Sequence, residues 1–189
     1  TKTDTPQKHD HVDIIFSGNI GLRYHDPRRF GSILWTTEDP FNHKLIRKLG
    51  PEPLLEDFTG EYLFKASRKR KKDVKTFIMD SHIVVGVGNI YANEYLFTSS
   101  IRPTKAAEKL TRKQCDLWVE NIKTVLQRSI TQGGTTLRDF VGGDGKPGYF
   151  AQQLNVYGRG GEACVTCRHI LKEIRQAQRT TVYCSRCQK

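Results

Sequence analysis

Residues 164–187 read CVTCRHILKEIRQAQRTTVYCSRC, two CxxC pairs with sixteen residues between them. Four thiolates in this spacing suit a structural Zn(II) ion held tetrahedrally at about 2.3 Å. A redox-active dithiol is the competing reading. The connecting segment is short, polar and rich in arginine and lysine. It reads as a two-stranded hairpin too small to fold without the metal, turning near Gln176 to Arg179. The fifth cysteine, Cys115, recurs with Trp118, Val119, Ile122, Val125, Leu126 and Ser129 at helical spacing and reads as a small buried hydrophobe. Thr111 and Gln114 form a capping-box pattern at the start of that helix.

The 189 residues carry 31 Lys plus Arg against 20 Asp plus Glu, a formal charge of +11. Such a surplus favours a polyanionic partner, nucleic acid first. With 37% hydrophobic residues a packed core is affordable, which excludes a disordered basic tail. No run approaches the roughly eighteen apolar residues that cross a bilayer, and TKTDTPQKHDH has no hydrophobic leader segment. The expectation is a cytoplasmic monomer with no membrane partner.

HVDIIFSGNIGLRYHDPRRFGSILWTT alternates apolar and polar residues around Ser-Gly-Asn and again at Asp26-Pro27, the pattern of antiparallel β structure. Two or three strands do not cover both faces of a sheet, so the expectation is that this is the tail of a larger layer begun upstream. Asp39-Pro40 predicts a helix through Phe41, Leu45 and Leu49, closed by Gly50-Pro51. Helical patterns continue to about Ile130, followed by a short helical LRDF and the glycine-rich VGGDGKPGYF.

Three stretches carry the binding chemistry. SRKRKKDVK, residues 67–75, places six cations in nine positions and reads as an exposed, protonated face before the apolar Phe77-Ile78-Met79. VVGVGNIYANE sets glycines and Asn89 before a short helix, where free backbone N–H groups and an amide can hold a phosphate. HDPRRFG puts Arg28, Arg29 and Phe30 at the tip of a turn. Phe30 either folds back into the sheet or stands out as a wedge between base pairs, with Arg28 filling the place of a displaced base.

Taken together, HDPRRFG, LGPEPL, VVGVGNIYANE, QGGTTLRDFVGGDGKPGYFAQQLNVYGRGGEAC and QRTTVYCSRCQK resemble the formamidopyrimidine-DNA glycosylases, and the likeness spans essentially the whole chain. The resemblance implies an α+β chain: the remainder of an N-terminal β-sandwich over 1–38, a helix-two-turn-helix domain with a lesion-capping loop over 39–150, and a zinc β-hairpin over 151–189. It implies excision of oxidised purines such as 8-oxoguanine from double-stranded DNA, action at abasic sites, and strand cleavage by β,δ-elimination.

By the same resemblance, Arg28 faces the base opposite the lesion and Phe30 is the wedge. Asn89 holds a phosphate beside the damaged nucleotide, and His9 and Arg70 contact the DNA backbone. Gly145, Lys146, Gly148 and Tyr149 belong to the loop that closes over the everted base. Arg138 stands where many relatives carry lysine. Cys164, Cys167, Cys184 and Cys187 hold one structural zinc, and Arg179 at the hairpin turn meets the lesion phosphates. The family names that arginine as a proton donor, whereas a guanidinium of pKa above about 12 suits a phosphate clamp better. The family's nucleophile, an N-terminal proline amine, and its neighbouring glutamate have no counterpart in the stretch beginning TKTDTP. The expectation is that the chain as given binds DNA without the glycosylase step. A non-catalytic module for damaged or bent duplex is the alternative, and a zinc-ribbon RNA binder leaves PRRFG and DGKPGYF without a purpose.

Overall fold

A computed structural model describes residues 5–18, 20–133 and 154–189. The chain divides into two compact units, residues 1–43 and 44–189.

In the first unit β1 (Asp10–Phe16) and β2 (Ile20–His25) pair antiparallel, with Ile14 opposite Leu22 and a bulge between Asp10 and Val12. Gly18 takes φ of +84° where the chain reverses, a conformation that costs glycine nothing. Arg23 forks onto Asp13 with bonds of 2.8 and 2.9 Å, tying the two strands across the sheet. The expected helix after Asp39-Pro40 does not form. Only a single 3-10 turn, Pro40–Asn42, follows the Asp39 cap, and His43 is already extended. Phe41, Leu45 and Leu49 are exposed, so no packed face rewards the ordering of a longer helix.

The second unit holds the core. α1 (Gly60–Ser67) starts where Thr59 accepts from the Tyr62 amide, and α4 (Arg112–Thr131) starts at Thr111 and Gln114, which cap each other reciprocally as the sequence predicts. α4 buries Cys115, Trp118, Val119, Ile122, Val125 and Ser129 on one face and packs against α1. Burial pushes the Cys115 thiol up to about 11, consistent with an inert core residue. α2 (Val74–Ile78) and α3 (Asn89–Thr98) insert Phe77, Ile78, Ala92, Tyr95 and Leu96 into the same cluster. Each such fully buried large side chain contributes roughly 1.5–3 kcal/mol by leaving water.

Residues 70–74 run beside 105–108, with Val74 N donating to Lys105 O and Glu108 N to Arg70 O. β3 (Lys172–Gln176) and β4 (Arg179–Tyr183) close the chain as an antiparallel hairpin in which Gln176 faces Arg179. Phe97 and Val156 join Leu171, Val182 and the cysteines in a second small core. Among the described residues, no helix is long and apolar enough to cross a membrane.

Candidate nucleic-acid interface

The β3–β4 turn, Ala177 and Gln178, has φ of 44° and 62°. This left-handed pair twists with the strands and leaves Arg179 exposed at the start of β4. Beneath it lies a cleft of about 260 Å³ lined by Lys72, Lys75, Thr76, Asp80, Gln176 and Arg179, among others. Lys72 is paired with Asp80 at 2.7 Å, and that bond chiefly holds the Asp80 carboxyl down to about 2.

Lys75 departs from the exposed cationic face expected of 67–75. It is 1% exposed, and its Nζ donates to Thr180 O at 2.9 Å and Thr181 Oγ1 at 2.6 Å, directly behind Arg179. Burial pushes its ammonium down to about 8, with the Arg179 charge adding to the fall and Asp73 opposing it. The reason is tertiary: α2 turns Lys75 onto the hairpin, where two oxygens replace water. Arg68 is also spent internally, donating to Phe64 O and Leu110 O with its guanidinium over the Phe64 ring. Arg70, by contrast, is exposed.

Asn89 is the first residue of α3, behind a Gly88 cap that supplies no side-chain bond, so the helix start keeps amides free for an anion. Asn89 Oδ1 is buried without a hydrogen-bond partner. One turn on, the buried Asn93 donates from Nδ2 to Asn89 O and accepts at Oδ1 from Val182 N. Glu94, also buried, accepts from the amides of Asn155, Val156 and Tyr157 and from Asn155 Nδ2. It therefore pins the segment that follows residue 153.

In the first unit, Asp26 organises the HDPRRFG turn. Its carboxylate accepts from the amides of Arg28, Arg29 and Gly31 and from the Tyr24 hydroxyl, and these bonds, Gly31 first, hold it down to about 2. A Cβ at Gly31 would run into the Tyr24 hydroxyl, so the close approach requires glycine. Phe30 does not fold back: it is 80% exposed, with the Arg28 guanidinium carbon 4.7 Å from its ring centre. His9 immediately precedes β1 with φ of 85°, its ring edge-on to His25.

The four paired cysteines have Sγ atoms within 4.8 Å of one another. Cys167 and Cys184 are 3.4 Å apart and Cys164 and Cys187 3.9 Å, far beyond a disulfide. They match the edges, about 3.8 Å, of a tetrahedron with 2.3 Å zinc–sulfur bonds.

Residues 49–141 match the formamidopyrimidine-DNA glycosylase H2TH domain, and residues 161–189 the zinc finger found in FPG and IleRS. Formamidopyrimidine-DNA glycosylase of Saccharophagus degradans is 66% identical over 186 residues, covering 98% of this chain and 69% of that one. That of Teredinibacter turnerae is 65% identical, covering 98% and 68%. The chain belongs to the formamidopyrimidine-DNA glycosylase family. Among solved structures, MutM (Fpg) of Thermus thermophilus superposes with a TM-score of 0.88 at 33% identity, over 97% of this chain and 70% of that one. Lactococcus lactis Fpg, in complex with DNA containing an abasic site, gives 0.87 at 34% identity over 99% and 69%.

As in that glycosylase family, the cysteine cluster is the seat of one structural zinc, and the chain is mixed α and β. Arg179 gathers with Lys72 and Lys75 at one cleft, and Arg28 stacks on Phe30. Arg138 and the expected capping-loop residues Gly145, Lys146, Gly148 and Tyr149 lie outside the described residues. Sequence reasoning missed Asp26, Lys75, Asn93 and Glu94. Asp-Pro before PRRFG is a readable turn signal for Asp26. Asn93-Glu94 inside the otherwise apolar half of YANEYLF is a polar pair where a core helix has little use for one.

Proposed function

We propose that the chain carries the lesion-duplex binding surface of a base-excision DNA glycosylase and AP lyase acting on oxidised purines and abasic sites. The observation that carries this reading is the turn Asp26–Gly31. It spends four hydrogen bonds on holding an aromatic ring out in solvent, where the hydrophobic effect alone would not place it. A ring so displayed beside a guanidinium suits insertion into a duplex opened by base eversion.

In this reading Phe30 wedges into the stack and Arg28 takes up the unpaired partner base. Asn89 and the free amides of the α3 start hold a backbone phosphate. His9 and Arg70 add backbone contacts. Arg179 clamps the phosphates at the lesion as a permanently charged fork, its role being electrostatic and not proton transfer. Gly145, Lys146, Gly148 and Tyr149 close over the everted base. When bound, zinc supplies no Lewis acidity to the substrate; its four thiolate ligands hold the hairpin that displays Arg179. The three-part division at 38 and 150, a cytoplasmic, nucleoid-associated setting and a monomeric state complete the proposal.

The test is fluorescence anisotropy with a duplex bearing an abasic-site analogue opposite cytosine, against the same duplex undamaged. The parent chain is expected to prefer the damaged duplex, and Phe30→Ala to lose that preference while retaining undamaged-duplex affinity. Equal affinity of the parent for the two duplexes would overturn the reading.

A further inference from the structure

Asn93 has no exposure at all, yet it carries an amide in the middle of an otherwise apolar helix face. Asparagine is a poor helix former, and an unbonded buried amide costs more than any packing it supplies. Its two hydrogen bonds must therefore explain its presence. Nδ2 donates to Asn89 O at 2.7 Å, and Oδ1 accepts from Val182 N at 2.7 Å. The first bond is to the first residue of α3, the second to the outer edge of β4, 89 residues away in sequence. The residues at the two ends are informative. Asn89 is the first residue of α3, its backbone O taken by the Asn93 bond and its side-chain Oδ1 buried without a partner, and Val182 lies three positions after Arg179 on one short strand.

We propose that Asn93 is a positioning residue for phosphate binding, fixing the start of α3 and the β4 strand as one rigid clamp so that Asn89 and Arg179 engage the DNA backbone together. The inference rests on the reading of Asn89 and Arg179 as backbone contacts. Only an amide serves here. The bridge needs a donor and an acceptor on adjacent atoms, which aspartate, leucine and alanine do not provide. Lys75 holds Thr180 and Thr181 from α2, and Asn93 adds a hydrogen bond from Val182 to α3, so the strand that begins at Arg179 is fastened to both helices.

The test is a double-variant cycle on the zinc-loaded chain: Asn89→Ala, Arg179→Ala and the pair, each titrated with the abasic-analogue duplex over a salt series. In the parent background the product of the two single losses should exceed the loss of the double variant about three-fold or more, as for residues acting through a shared element. In Asn93→Leu the losses should multiply independently. The slope of log affinity against log salt should then fall by about one, the equivalent of one phosphate contact. Asn93→Asp keeps the acceptor for Val182 N but has no donor for Asn89 O, so it should lose the coupling as Asn93→Leu does. A merely structural role would lower affinity and melting temperature without changing coupling or slope.

Independent losses in the parent background overturn the inference, and that measurement requires no change at Asn93. An unchanged cycle and slope in a folded Asn93→Leu overturn it as well. If that variant does not fold, Asn93→Asp decides: coupling kept there, with zinc content and helical signal intact, overturns the two-ended bridge. If Asn89→Ala and Arg179→Ala both leave affinity unchanged, the reading of those residues as backbone contacts fails and the clamp falls with it.

Discussion

The chain contains two β-hairpins that differ in how they are held. β1–β2 is the longer and more apolar, yet Ile15, Phe16, Ile20 and Leu22 are all more than half exposed. Its fastenings are bonds between its own strands and turns, such as the Arg23–Asp13 fork and the Asp26 turn. β3–β4 has five residues per strand and a polar composition, and it is tied to distant parts of the chain. Lys75 reaches Thr180 and Thr181, Asn93 reaches Val182, and the buried Gln188 donates to Ile101 O. Four cysteines gather at its base. Strand length and hydrophobic alternation describe how a hairpin forms; long-range polar bonds and metal ligands determine what it can position.

Removing the metal should produce the largest break in this contrast. Structural zinc carries an apparent binding energy of about 10–16 kcal/mol in small zinc modules, and that energy is folding energy. A strong chelator should abolish DNA binding and loosen β3–β4, while the far-ultraviolet helical signal stays largely intact, because the α1–α4 core contains no ligand. Collapse of the helical signal together with the hairpin would show that the two are one cooperative unit.

Lys75→Met should come next. It leaves Thr180 O and Thr181 Oγ1 without their donor, a cost of about 1–3 kcal/mol for the buried Thr181 hydroxyl, read as a drop in the denaturation midpoint. The pH dependence gives the sign. Lys75 binds its proton less tightly folded, at about 8, than at the ordinary 10.5. Between these values the unfolded chain holds more proton, so this group makes stability rise with pH, by ~3 kcal/mol at most. The parent should therefore gain on Lys75→Met between pH 8 and 10.5, and parallel stability curves would mean that Lys75 is not the buried cation described.

A smaller effect is expected at the first hairpin's turn. Asp26→Ala frees the amides of Arg28, Arg29 and Gly31 and should cut preference for the damaged duplex without unfolding the second unit. Because the Asp26 carboxyl is held at about 2, its contribution is complete above the ordinary 3.8 and is lost only as pH falls through 2. Amide chemical shifts of residues 28–31 should be flat from pH 7 to 4 and move below that. The smallest effect belongs to Arg23→Ala. Its partly exposed, salt-screened ion pairs should cost only a small drop in thermal unfolding, and that drop should shrink as salt rises.

Much of this protein was legible in its sequence because the signals are local. CxxC pairs gather thiols whatever surrounds them, Thr111 and Gln114 cap each other within one turn, and Ser-Gly marks where β1 reverses into β2, whereas the β pattern after Asp26-Pro27 forms no further strand. The face of α4 follows from 3.6-residue periodicity. What local pattern alone left open was the destination of side chains whose partners lie far along the chain. The run 67–75 reads as one cationic face, but Lys75 is taken inside by oxygens more than a hundred residues away, and Arg68 by the carbonyl of Leu110. The sequence 39–50 carries good start and stop signals for a helix, and without a buried face only one short turn forms. Asn93 and Glu94 look like two polar residues in a helix until β4 and residues 155–157 arrive against them. A buried polar group is tolerated only where its partners are, and tertiary packing, not local pattern, decides where those partners come to lie.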